Sequence, residues 1–298
     1  MNLCIKQRLR LRSFFGVILN FASALDHFSA SSKSLIVNGK VPKDIGDKIA
    51  IYVAHNDFHG DKWENNLFSK IKAEGFTLIT VINRENLLNT QQGSLAFERF
   101  NRGFDIAACR DVLNLLQFTP KELLLVNSST AWNLGKNSLI SKTRELSKSM
   151  DLEVIYATQS FQTKEHGQSF YIFAVGSGVQ KLMNDIARAR NWRTKRATVF
   201  FGEIQAFQRL KNKGVKIGFV FPYRELLKKY SSLESKDPKT SLKIKYNFPV
   251  NPSQDFWKLL MLSGAQFVKR NLVATNPGKL LNAPKSCEDA FKSAYVSK

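Results

Sequence analysis

The chain has 298 residues, 43% of them hydrophobic and 11% aromatic with 23 Phe, which supplies ample core and excludes a disordered or low-complexity polypeptide. That length lies near the upper end of what one α/β domain fills, and a single embellished domain is preferred over two small ones. With 45 Lys and Arg against 24 Asp and Glu the net charge is +21, a field suited to nucleic acid, to an anionic membrane surface or to a nucleoside diphosphate carried by a substrate.

In chain order, Lys6, Arg8, Arg10 and Arg12 precede the apolar run Phe14 to Ala22. The run is shorter than the about 20 residues that span a bilayer. Read as a helix, it gathers Leu11, Phe14, Phe15, Ile18, Phe21 and Ala22 on one face, which suits either an interfacial membrane helix or a helix packed on the body of the protein. Residues 29–47, rich in Ser, Lys and Gly, read as a linker. Ile49 to Ala54 is a buried strand, Trp63 to Gly75 a helix that ends in glycine, and Thr77 to Ile82 a second strand. This opening predicts a right-handed crossover and a parallel sheet. Asp105 to Leu116 is a helix, Leu123 to Val126 a strand, Ser138 to Met150 a helix and Val154 to Ala157 a strand. Phe170 to Val175 continues as a strand, Gly178 to Asn191 as a helix, and Gln254 to Ser263 as a helix near the end. The predicted class is α/β with a mostly parallel central sheet flanked by helices.

No helix-turn-helix, zinc-finger spacing or RNP-like aromatic motif is present, and the basic residues are spread along the chain, so the nucleic-acid reading is the weakest of the three. Cys4, Cys109 and Cys287 stand far apart, with no disulfide framework and no zinc spacing, which fits a reducing compartment. Cys109 reads as a small buried thiol.

The stretch Asn101-Arg102-Gly103-Phe104-Asp105-Ile106-Ala107-Ala108-Cys109-Arg110-Asp111, followed by a strand ending in Asn127-Ser128-Ser129, reads as a ligand-binding face on the sheet. Four further blocks accompany it. They are Ile49 to Asp57 with His55 and Asp57 after a strand, Ala157 to Tyr171 with His166-Gly167-Gln168-Ser169, Gly202-Glu203-Ile204, and Asn251 to Pro277. Together these blocks resemble the rhamnan synthesis F family of glycosyltransferase-like domains, over roughly residues 46–298. The resemblance implies a GT-A-like nucleotide-sugar-binding domain at 46–298, helical from about 231, behind a basic amphipathic segment and linker at 1–45. It also implies a cytoplasmic enzyme, peripheral on the inner face of the membrane, that moves a sugar such as rhamnose from a nucleotide-sugar donor to a surface polysaccharide or lipid-linked glycan.

Such a transfer needs cations or amides for two phosphates and a base for the acceptor hydroxyl. The donor-binding candidates are His55, Asp57, Asn101, Arg102, Gly103, Arg110, Asn127, Ser128, Ser129, His166, Gln168 and Ser169, and the catalytic candidates are Glu203 as base and Asp105. Each has a plainer reading. Arg102 and Arg110 suit a solvated helix face, Asp105 a helix cap, Glu203 a helix N-terminus, and His166 an ordinary hydrogen-bonded histidine. His55 and His59 are weak as metal spacing. Relatives commonly carry Asn-Asp-Ser where this chain has Asn127-Ser128-Ser129, and serine is a poor ligand for Mg²⁺ or Mn²⁺. The divalent metal of such enzymes is therefore an open cofactor here. A catalytically idle relative that binds sugar nucleotide or glycan is the first rival reading, and a basic nucleic-acid-binding protein the second. In the tail, Lys269 and Arg270 either reach a diphosphate or lipid headgroup or face water.

Overall fold

The computed structural model describes residues 22–39, 41, 45–55, 62–84, 96–132, 138–233, 236–246 and 249–275. The run Ile49-Ala50-Ile51-Tyr52-Val53-Ala54 becomes the middle of β2 (Lys48–His55), and its period of two sorts it between two cores. Ile49, Ile51 and Val53 face one side with α3 (Phe104–Leu113), α5 (Ser177–Ile186) and α7 (Gln205–Asn212). Ala50, Tyr52 and Ala54 face the other, with α2 (Lys62–Ala73), α4 (Leu139–Met150), α8 (Tyr223–Ser231) and α11 (Trp257–Leu262). A strand buried on both faces has no polar side, which is why it is continuously apolar.

The remaining strands of the main sheet are β1 (Ile36–Asn38), β3 (Thr77–Arg84), β4 (Ala96–Phe100), β5 (Glu122–Asn127), β7 (Val154–Ser160), β8 (His166–Gly167), β9 (Tyr171–Val175) and β10 (Ile217–Phe221). Their order is β1-β4-β3-β2-β5-β9-β7-β10, with β8 beside β7. β4, β3, β2, β5, β7 and β10 run in one direction, whereas β1, β9 and β8 oppose them. The sheet is thus mostly parallel, as predicted. The chain winds outward from β2 to β4 and then returns to the other side of β2 at β5, so the carboxyl ends of β2 and β5 form a topological switch point, the place where open α/β sheets bind ligands.

Local chemistry sets the boundaries. α2 stops at Gly75, whose φ of +83° suits glycine and lets the Phe76 N–H reach the Ile71 carbonyl at 3.2 Å. The Ser138 hydroxyl caps α4 by accepting from the Ser141 N–H at 3.1 Å. The predicted helix at Gly178 to Asn191 ends at Ile186, after which the Ala189 carbonyl accepts from Arg110 of α3 and the Asn191 N–H donates to the Ser31 carbonyl of the N-terminal segment. The predicted helix at Gln254 to Ser263 is two, α10 (Pro252–Asp255) and α11, broken at Phe256. Cys109 is buried, and burial pushes its thiol up.

Residues 22–29 are helical (α1) and pack on the body through their polar face. Asp26 accepts from the Arg193 and Thr194 N–H groups at 2.9 to 3.0 Å, and the His27 ring stacks on Phe201 at 3.9 Å between centroids. The stretch read as a linker is in part ordered structure, since Ile36–Asn38 adds β1 to the sheet edge against β4.

Candidate functional site

Four segments bring polar groups to the switch-point edge. β5 delivers Asn127 and the turn Ser128-Ser129, whose Ser128 N–H is tied to the Val53 carbonyl of β2 at 2.9 Å. α3 begins on the same edge because it follows the parallel strand β4, and it places Asp105 in its first turn. β9 runs antiparallel to β5, so Ser169 and Phe170 enter it where β5 ends. The fourth segment is β11 (Phe267–Lys269), which pairs with β6 (Thr130–Trp132) and sets Lys269 opposite Thr130.

These groups are joined. Asn127 Nδ2 donates to Asp105 Oδ2 at 2.6 Å, and Asn127 Oδ1 accepts from the Ser129 N–H at 3.0 Å and the Ser129 hydroxyl at 2.5 Å. Lys269 Nζ donates to Ser129 Oγ at 2.8 Å and stands over the Phe170 ring, 4.5 Å from its centroid. The Arg270 N–H, next in the chain, holds the Ser129 carbonyl at 3.0 Å. Glu203 completes the cluster. Its carboxyl accepts from Ser169 through both side chain and backbone, and it interacts electrostatically with Asp105 and Lys269.

The electrostatics of the cluster are unusual. Burial raises the Glu203 carboxyl to about 7, with the nearby Asp105 charge acting in the same direction against the Ser169 hydrogen bonds. Burial lowers the Lys269 ammonium to about 8, opposed by Glu203 and Asp105 and assisted by Lys195. An acid and a base whose values are drawn toward neutrality at one sheet edge form the kind of arrangement that proton transfer uses. Glu203 lies in a π-helix (Thr198–Ile204) that runs into α7, a local irregularity often found at functional positions. It is not at the start of an α-helix, so macrodipole stabilisation does not explain it.

The other sequence candidates divide. Asn101 follows β4 at the same edge, and among the described residues its buried Oδ1 has no hydrogen-bond partner. His55 ends β2, and Asp57 and His59 lie outside the described residues. Arg110, expected at the donor, is fully buried and turned inward. It donates to Asp111, to the Ala189 and Lys33 carbonyls at 2.7 and 3.1 Å, and to Asn191 at 3.0 Å. Arg99 meets the same Asp111 at 3.0 Å and also holds Asn83 at 2.8 Å. The pair of arginines on one carboxylate therefore clamps β4, α3 and the N-terminal segment together. The Arg102 side chain is exposed, and its carbonyl is held by Arg99 at 2.8 Å.

Gly103 is required by the protein's own backbone, not by a ligand. Its φ is +70°, and a Cβ there would lie 2.4 Å from the Arg190 carbonyl oxygen. Gly202, read as room for an acceptor, likewise faces the Trp192 ring, and a Cβ at that position would lie 3.1 Å from the ring. His166 is buried with Nδ1 2.8 Å from the Lys164 carbonyl oxygen, and burial lowers its basicity. Gln168 bridges Thr158 and Asn251 at 2.6 and 3.0 Å. Both shape the segment that delivers Ser169 instead of joining the cluster. Lys269 is the member that sequence reasoning left undecided, and only its strand pairing with β6 reveals its place.

No family model matches the chain, and no curated protein matches it. Solved structures with a similar fold include 4-diphosphocytidyl-2C-methyl-D-erythritol synthase from Anaerococcus prevotii, 9% identical, covering 59% of this chain and 87% of that one with a TM-score of 0.35. The Francisella tularensis 2-C-methyl-D-erythritol 4-phosphate cytidylyltransferase is 10% identical over 58% of this chain and 90% of its own, with a TM-score of 0.38. A mutant Drosophila β-1,4-galactosyltransferase 7, solved with manganese, UDP-Gal and xylobiose, is 10% identical over 58% and 64%, with a TM-score of 0.33. Likenesses at these scores leave the activity to be read from this chain's own residues.

Proposed function

We propose that this protein is a GT-A-like glycosyltransferase of the rhamnan synthesis F kind, moving a sugar such as rhamnose from a nucleotide-sugar donor to a surface polysaccharide or lipid-linked glycan. The observation that carries the reading is the convergence of Asp105, Asn127, Ser129, Ser169, Glu203 and Lys269 at the switch point of the sheet. In this reading Glu203 takes the proton of the acceptor hydroxyl as its oxygen bonds to the anomeric carbon. The bond to the nucleoside diphosphate breaks with its electron pair on the departing oxygen. A carboxyl near 7 is well matched to that task, because it is both available as a base at neutral pH and basic enough to accept the proton. Asp105 and Asn127 serve the donor's hydroxyls, and Asn101, with its buried acceptor atom, is a further contact for them.

Membrane association has support of its own. α1 turns Leu25 and Phe28 outward, 55% and 77% exposed, beside the exposed Arg193, Lys195 and Arg196. Apolar side chains rimmed by cations suit an anionic bilayer surface, and would hold the enzyme near a lipid-linked acceptor at the cytoplasmic face.

The test is a panel of nucleotide sugars offered to the purified protein with lipid-linked glycan acceptors, read as release of nucleoside diphosphate. Turnover of one donor that is lost in Glu203→Gln supports the transferase. Saturable donor binding without turnover in the wild type gives the idle relative instead, the reading that Ser128 favours.

A further inference from the structure

The divalent cation that the sequence resemblance implies does not fit the described residues at this edge. Ser128 stands where the carboxylate is expected, and no group of three or more His, Cys, Asp or Glu converges among the described residues. The two acids that do meet, Asp105 and Glu203, are already engaged by Asn127 and Ser169, and an ammonium shares their field.

That ammonium is built in from several directions. The β6–β11 ladder fixes the Lys269 backbone opposite Thr130, Ser129 Oγ holds its Nζ at 2.8 Å, and its charge lies over the Phe170 face at 4.5 Å. Its charge faces the carboxylates of Glu203 and Asp105, with a smaller repulsion from the exposed Lys195. An ammonium fixed at the strand end, with N–H groups left over after its bond to Ser129, suits a phosphate oxygen as its partner.

We infer that Lys269 is the resident cation of the donor subsite, its ammonium holding the diphosphate of the nucleotide sugar where a metal ion would otherwise stand. This rests on the nucleotide-sugar reading above. During transfer the anomeric C–O bond breaks, its electron pair remains on the diphosphate oxygen, and Lys269 N–H groups stabilise the charge that grows there. Glu203 receives the acceptor proton, so no metal is needed to balance the step. The ammonium reaches that oxygen without reorganisation, because Ser129 and Phe170 already orient it.

The experiment is calorimetric titration of the full chain with UDP, GDP, CDP and dTDP, first in EDTA and then with Mn²⁺. Binding of one nucleotide in EDTA is expected, with an affinity that Mn²⁺ changes less than about threefold and that Lys269→Met weakens roughly 30-fold or more, the loss of one charged hydrogen-bonding partner. Lys269→Arg should recover part of that loss, and Ser129→Ala, which removes the hydroxyl that holds the ammonium and also bonds Asn127, should give a smaller loss. Binding that appears only with Mn²⁺, or that Lys269→Met leaves unchanged, overturns the inference and leaves the nucleotide-sugar reading standing. No binding of any nucleotide under either condition overturns that reading, and the inference with it.

Discussion

Replacing Glu203 by Gln separates catalysis from stability, and the two should move in opposite directions. The wild-type carboxyl lies at about 7 in the folded protein against an ordinary value of 4.5 for a solvated glutamate. Between those values the native state keeps a proton that the unfolded chain has released, so Glu203 lowers stability progressively as pH rises through that window, and the full penalty applies above it. At about 1.36 kcal/mol per pH unit the penalty has a ceiling of ~3 kcal/mol. Glutamine keeps the size and an acceptor for Ser169 and never ionises. Glu203→Gln is therefore expected to match the wild type near pH 4.5 and to be more stable by up to ~3 kcal/mol at pH 8, about 5 °C in Tm for a chain of this size. Urea titrations of both proteins at the two pH values measure it, with nucleotide-sugar turnover assayed alongside. Equal stability of variant and wild type at pH 8 would show that Glu203 is well solvated and remove the physical basis for treating it as a tuned base.

The pH profile offers a second check: if Glu203 must be ionised and Lys269 protonated, kcat/KM should rise toward about 7 and fall beyond about 8, and a flat profile between pH 6 and 9 would exclude that pairing. Asp111→Asn leaves two buried guanidinium groups with no carboxylate, so a loss of about 3 to 5 kcal/mol in chemical denaturation is expected, and a loss under ~1 kcal/mol would show that the Arg99–Asp111–Arg110 clamp is not needed to close the N-terminal segment on the body. Gly103→Ala forces a Cβ into the Arg190 carbonyl at an unfavourable φ and should lower Tm by several degrees, with the Asp105–Asn127 contact loosened and donor affinity reduced in parallel. Sedimentation with vesicles should show binding to phosphatidylglycerol-containing membranes that falls with added salt and with Leu25→Glu plus Phe28→Glu, whereas equal binding to neutral phosphatidylcholine would exclude the charged surface as its cause.

The β-α-β opening, the buried strands and the helices of residues 49–82 and 105–175 were legible from the sequence because period and capping are local properties. β2 is apolar from Ile49 to Ala54, α2 ends just before Gly75, and Ser138 caps α4. The segments of the motif that meet at the site were legible in part: Asp105, Asn127, Ser129, Ser169 and Glu203 all come together. Arg110 misled because its spacing on a helix says which face it shares, not whether Asp111 and Asn191 wait beneath that face. The short strands β1, β6, β8 and β11 carry too few residues to show a period, and their pairing depends on a partner elsewhere in the chain. The class of the fold and the elements that carry the acids were thus determined by patterns within a few residues of one another, whereas the switch point follows from a strand order that sets β2 between β3 and β5. Only the tertiary structure decided that Lys269 belongs beside Ser129, separated by 140 positions in the chain, because a strand pairing of that range leaves no trace in local sequence and an ammonium acquires its chemistry only from what surrounds it.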